Sequence, residues 1–78
     1  MNKYLWLVYY KQHQYFNEQG VYAAKLSSLK IPSESLLENN LIRLQMIASP
    51  FQFEAIVSCN KLKEKWRINN EGKISRLN

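Results

Sequence analysis

Ile42-Arg43-Leu44-Gln45-Met46, then Ser49-Pro50, then Phe51-Gln52-Phe53-Glu54-Ala55-Ile56-Val57-Ser58-Cys59: through this stretch apolar residues return at every second position. Side chains alternate across a strand with a period of two, so Ile42, Leu44 and Met46 share one face and Arg43 and Gln45 the other. Ser49-Pro50 breaks the run. Beyond it, Phe51, Phe53, Ala55, Val57 and Cys59 are predicted to face inward, with Gln52, Glu54, Ile56 and Ser58 outward. Strands with one apolar and one mostly polar side are what an antiparallel sheet covered on a single face requires. The alternation resumes downstream, where Leu62, Glu64, Trp66 and Ile68 oppose Lys61, Lys63, Lys65 and Arg67. The Asn69-Asn70-Glu71-Gly72 loop then returns the chain into Lys73 to Leu77, with Gly72 as the natural residue for positive φ. Such short connections predict an antiparallel meander of three or four strands.

What covers that sheet lies upstream. Between Lys3 and Gln19 there is no Gly or Pro. At about 100° per residue, Leu5, Val8, Tyr9, Gln12 and Phe16 fall on one side, flanked by Trp6, His13 and Tyr15, while Lys3, Lys11, Gln14 and Glu18 fall opposite. This predicts an amphipathic helix ended by Gly20, which takes the left-handed conformation at less cost than any other residue. Val21-Tyr22 reads as extended, and Leu26 and Leu29 allow a turn or two of helix before Pro32. Ser33 to Asn40 is polar except for Leu36 and Leu37, which predicts a surface connection with room for one more helical turn. The fold class is therefore α+β: one long N-terminal amphipathic helix on a three- or four-stranded antiparallel sheet, in a single domain spanning 1–78.

A domain of 78 residues has a thin core, since chains this short bury only about 60% of their unfolded surface. With 46% hydrophobic and 22% charged residues the composition is that of a globular rather than a disordered chain. A single cysteine rules out an internal disulfide. Lacking that staple, the chain is expected to gain burial against a protein partner or the preceding domain of a longer chain, as a fragment or C-terminal module. No run approaches the ~18 apolar residues that span a bilayer, so no membrane span is expected.

The chemistry-bearing residues are few. Cys59 is expected inside the sheet beside aromatics, whereas a reactive thiol needs a polar setting that favours thiolate. His13 has no second His, Asp or Cys nearby in the sequence with which to hold a metal. The six Glu residues show no paired spacing, and two glycines cannot form a phosphate-cradling loop. No catalytic residue, metal or cofactor is expected, and the chain reads as a non-enzyme. Gln12 stands out because its amide falls at the centre of an apolar helix face, where an unpaired polar group costs roughly 1–3 kcal/mol. Its expected partner is a backbone group in the Val21–Ala24 segment or a strand end, the alternative being a ligand contact; His13 beside it is a second possible contact.

The net charge is +5, enough for weak attraction to polyanions. Lys61, Lys63, Lys65 and Arg67 share one parity and would form a basic stripe on the open sheet face, a possible contact surface for phosphates. A lysine-rich solvent face is the commoner reason for such a pattern, and no exposed aromatic is interleaved to stack bases. Nucleic acid is thus the alternative reading rather than the expected partner.

Tyr9-Tyr10-Lys11-Gln12-His13-Gln14-Tyr15-Phe16-Asn17-Glu18-Gln19-Gly20-Val21-Tyr22-Ala23, followed by Leu26 and Leu29, resembles a helix–loop signature in the C-terminal portion of bacterial carbohydrate-binding family 9-like proteins. The strand at Phe53-Glu54-Ala55 and the hairpin from Trp66-Arg67-Ile68 to Gly72-Lys73-Ile74 resemble the end of that family. A looser likeness, helix, Gly-x-Tyr, then sheet, runs to type IV pilins and pseudopilins. The resemblance implies an extracytoplasmic bacterial protein and a pilin-like fold. It does not transfer sugar binding, which belongs to the family's preceding β-sandwich, so carbohydrate would be met only through that domain. A pilin's long apolar N-terminal helix half and processing site are not matched, because polar Lys11 follows Tyr10 directly; a pseudopilin-like assembly role stays a further alternative.

Overall fold

The computed structural model describes residues 2–37, 39–61 and 63–77. Helix α1 spans Asn2–Gln19. It has no acidic residue in its first turn and no basic one in its last, so neither end is complementary to the helix dipole and the helix depends on the face it buries. That face is Leu5, Val8 and Gln12, with Tyr9, His13 and Phe16 half-buried beside it. The helix stops where the sequence predicts: Gly20 has φ +77°, and its N–H closes the last turn on the Phe16 carbonyl at 2.7 Å. Val21 and Tyr22 lead away, with the Tyr22 N–H donating to the Pro50 carbonyl at 2.9 Å. A short 3-10 helix, Leu26–Leu29, follows and ends at Lys30 in the left-handed region. It buries Leu29 and sets Ile31 into the core.

Among the described residues the sheet has five strands, not three or four, in the order β1-β2-β3-β4-β5: β1 Glu34–Leu37, β2 Asn40–Ser49, β3 Gln52–Cys59, β4 Glu64–Asn69 and β5 Ile74–Arg76. All neighbours are antiparallel. The added strand is β1, which occupies the stretch that reads as a surface connection. It pairs Leu37 with Asn40, and Asn39 makes the tight turn at φ +67°, a conformation that asparagine tolerates better than most residues. β1 stays an exposed edge, with Leu36 73% accessible.

Helix α1 lies across β3 and β4 and touches the 3-10 helix. The period-two faces come out as expected, with Ile42 and Leu44 of β2, Phe53, Ala55, Val57 and Cys59 of β3 and Ile68 of β4 buried in the core. Phe51 is the exception. It sits in the two-residue turn between paired Ser49 and Gln52, outside the ladder whose parity the alternation assigns to it, and it is exposed. The smallest extent of the molecule, 16 Å, is the depth of one helix layer on one sheet at about 10 Å spacing. The other sheet face is open.

Candidate functional site

Three places in this architecture gather the residues singled out by the sequence. The first is the junction of α1 with the loops at its flank. Gln12 is fully buried, and its amide forms a two-way clamp on one residue. Nε2 donates to the Ala23 carbonyl at 2.9 Å, and Oε1 accepts from the Ala23 N–H at 2.8 Å. The Met46 sulfur lies 3.1 Å from the same Nε2. The backbone partner is inside the predicted segment, and the amide is closed off from solvent. His13, one residue on, is half-buried among the rings of Tyr9, Tyr22 and Phe53, with centroids 4.4, 5.6 and 6.0 Å away. Its Nε2 is 3.0 Å from the Asn70 carbonyl, an acceptor, which places the ring proton on Nε2. Tyr22 shares this aromatic wall, and burial, then the neighbouring Tyr9 phenol, raises its pKa above the ordinary 10.0. Gln12 and His13 thus fasten the helix to the 23-segment and to the β4–β5 turn.

The second place is the open face of the sheet, and here the predicted stripe is broken. β4 begins at Glu64, so Lys61 and Lys63 lie in the turn before it rather than on a strand, and Lys63 has φ +52°. The alternation in the sequence runs through a turn that resets it; the predicted inward Leu62 lies outside the described residues. Lys65 and Arg67 do share the open face. Arg67 is engaged there, with Nη1 3.8 Å from Glu54 Oε1 and Nε donating to Ser75 Oγ at 3.2 Å. Lys65 instead belongs to a row that crosses the sheet, because Arg43 pairs with Ser58 and Ser58 with Lys65. Around that row is a cleft of about 390 Å³ lined by Leu41, Arg43, Ser58, Cys59, Asn60, Lys63, Glu64 and Lys65. The sequence does not single out Arg43, Ser58 or Asn60. Strand parity places Arg43 outward, but only the pairing register reveals that it stands in one row with Lys65.

The third place is the side of α1 turned away from the sheet. Trp6, Leu7 and Tyr10 are exposed there, Tyr10 to 65%. The Trp6 and Tyr10 rings stack with centroids 6.0 Å apart and planes at 29°, and Tyr9 meets both edge-on. The periodicity places Trp6 on the flank, whereas one turn of helix joins it to Tyr10 in an apolar strip.

These arrangements can bind. Cys59 is buried as expected, and among the described residues no three of His, Cys, Asp and Glu come together to hold a metal ion. No described helix is long and apolar enough to cross a membrane. Compared with protein-family models, with curated proteins and with solved structures, the chain matches none.

Proposed function

We propose that this chain is a noncatalytic interaction domain of an extracytoplasmic, carbohydrate-binding family 9-like protein, and that it docks on the preceding β-sandwich of such a protein through the outer side of α1. The observation that carries this reading is the apolar strip of Trp6, Leu7 and Tyr10. The helix has already given Leu5 and Val8 to the sheet, yet its N-terminal half keeps large apolar side chains on the opposite side. Aromatic residues with few internal degrees of freedom are the usual energetic anchors of protein interfaces. Lys3 is the one charged residue in this half of the helix, so little desolvation of charge opposes docking. The choice of a β-sandwich partner rests on the resemblance from Tyr9 through Ala23.

The test is association of the chain with the β-sandwich region of a family 9-like protein, measured by calorimetry and by amide chemical shifts. Binding should perturb the amides of Lys3 to Lys11, and the double variant Trp6→Ser, Tyr10→Ser should weaken it at least tenfold, as loss of interface hot spots does. The unfolding midpoint of the isolated variant should stay near that of wild type. Absence of association, or association indifferent to both substitutions, refutes the reading.

A further inference from the structure

We infer that the second half of β2 is a strand-addition site, and that it takes an extended peptide of another protein with alternating apolar side chains and acidic flanks. In an antiparallel sheet the backbone groups of successive residues point to opposite neighbours. The Leu41 carbonyl accepts from the Asn60 N–H at the end of β3, whereas the Leu44 N–H donates to the Ser33 carbonyl on the β1 side. By the same alternation the N–H and C=O of Met46 and Ala48 point to the β1 side. β1 does not reach them, since its pairing with β2 runs only from Leu37 opposite Asn40 to Glu34 opposite Arg43. Among the described residues no strand stands opposite Met46 and Ala48 on that side. Beyond them the Pro50 carbonyl takes the Tyr22 N–H at 2.9 Å, which bounds the open edge to two residues.

The sequence explains why β1 stops short. Continued in the same register, Ile31 would stand opposite Met46. Pro32 holds its φ at about −65°, away from the values of a paired antiparallel strand. The Ile31 N–H turns instead to the Leu26 carbonyl at 3.1 Å, and the Ile31 side chain enters the core. The chain therefore leaves β2 with two rungs free, about 7 Å apart.

A groove of about 580 Å³, bounded by Leu44 to Met46, by Ile31 to Ser33 and by Ala24 to Ser27, lies along this edge, within the usual size of binding clefts. Bounded by chain in this way, it suits a single strand better than the edge of a second sheet. Its walls are fixed in advance, because Gln12 bonds Ala23 in both directions and lies 3.1 Å from the Met46 sulfur, so little ordering opposes binding. Main-chain donors and acceptors at strand spacing are matched by another main chain, and side-chain pockets then set specificity. A peptide residue opposite Met46 shares its face of the sheet and meets the groove beside half-buried Leu26. Its neighbours point to the open face beside Ile47, which is 73% exposed. Apolar, β-branched side chains suit both positions. Lys25 is the one charged residue among those lining the groove, which favours acidic flanks.

The experiment is amide hydrogen exchange and a chemical-shift titration of the intact chain with a short capped peptide of alternating valine and threonine bearing glutamate at both ends, and with the same peptide bearing lysine. The glutamate peptide should bind saturably and more tightly than the lysine one. At ten times Kd it should slow exchange of the Met46 and Ala48 amides about tenfold. Gln45 and Ile47, whose amides face β3, should keep their rates, and the amides of Lys3 to Lys11 should not shift. Ala48→Pro removes one N–H from the free side, a change that an edge strand tolerates, and should weaken binding about fivefold, the worth of one net hydrogen bond. Methylating the peptide nitrogens that face β2 should do the same with the unaltered chain, so the test survives if Ala48→Pro does not fold. In Lys25→Glu the order of the two peptides should reverse. Shifts that fail to saturate, equal binding of the two peptides to the unaltered chain, indifference to N-methylation, or protection of Glu34 and Leu36 on the outer edge of β1 in place of Met46 and Ala48 would each overturn the proposal. So would protection of Met46 and Ala48 that grows with protein concentration in the absence of peptide, which would assign the edge to a second copy of the chain.

Discussion

Replacing Gln12 by leucine removes both halves of the clamp on Ala23 and nothing else of similar size. Ala23 is itself 1% exposed, so water cannot take the place of the amide, and the substitution orphans one buried N–H and one buried C=O. Each such group costs about 1–3 kcal/mol, a gross loss of about 2–6. Burying the leucine side chain offsets part of it, since that is worth roughly 1.5–3 kcal/mol. A net loss of about 2 kcal/mol is expected, against a total stability of about 4–12 for a chain of 78 residues. Urea unfolding followed by circular dichroism measures it as a lower midpoint at unchanged slope. Gln12→Glu sharpens the test. A protonated carboxyl can reproduce both bonds, its O–H donating to the Ala23 carbonyl and its C=O accepting from the Ala23 N–H, whereas a carboxylate would be a buried charge facing a carbonyl oxygen. Burial therefore raises the folded-state pKa of the introduced carboxyl above the ordinary glutamate value of about 4.3. A group protonated more readily in the folded state gives its full stabilisation below the unfolded pKa and loses it as pH rises through the folded one. The deficit of Gln12→Glu relative to wild type should be small near pH 4 and grow towards neutrality. A Gln12→Leu loss under about 0.5 kcal/mol, or a Gln12→Glu deficit that does not change with pH, would show that the clamp is not what joins the helix to the 23-segment.

The two glycines separate conformational strain from crowding. At Gly20 an added Cβ meets nothing within 4 Å, so Gly20→Ala should cost only the left-handed backbone, about 1 kcal/mol. At Gly72 the same change also brings Cβ to 3.3 Å from the Tyr9 ring, so Gly72→Ala should shift the urea midpoint further, and equal shifts would count against the packing of Tyr9 on that turn. Cys59, 3% exposed, should react with a thiol reagent far more slowly in the folded protein than in urea; rapid native labelling would mean that β3 has slipped by one residue, which exposes its whole inward set.

The parts of the fold legible in the sequence are those where one residue's chemistry has a single solution. An amide at the centre of an apolar helix face must find a backbone partner, and Gln12 finds Ala23. A helix running into Val21-Tyr22 needs a left-handed residue, and Gly20 supplies it. Alternation from Ile42 to Cys59 can bury one set of side chains only as paired strands. β1 escapes this logic because it is a four-residue edge strand in which polar Ser35 stands opposite buried Ile42 while apolar Leu36 is exposed, so no apolar alternation marks it; its signal is the turn residue Asn39. The basic stripe misleads for the opposite reason. A regular alternation passes unbroken through a turn, and nothing local to Lys61 and Lys63 distinguishes a strand from a turn that keeps the same order of charges. The cleft around Ser58 is beyond local reading altogether, since it exists only once three strands are set in register.

Because the strands lie in the sheet in the order in which they occur in the chain, the sheet can be assembled one hairpin at a time, each step closing a short loop at little entropic expense. The long closures belong to the helix: His13 meets Asn70 across 57 residues and Gln12 meets Met46 across 34. Contacts so distant along the chain are slow to form, so the hairpins, with β2–β3 the longest, should be structured in the transition state while the contact of His13 with Asn70 forms late. Loss of that contact should then speed unfolding and leave the refolding rate nearly unchanged, so that the joint between helix and sheet sets how long the folded molecule lasts and not how fast it is made.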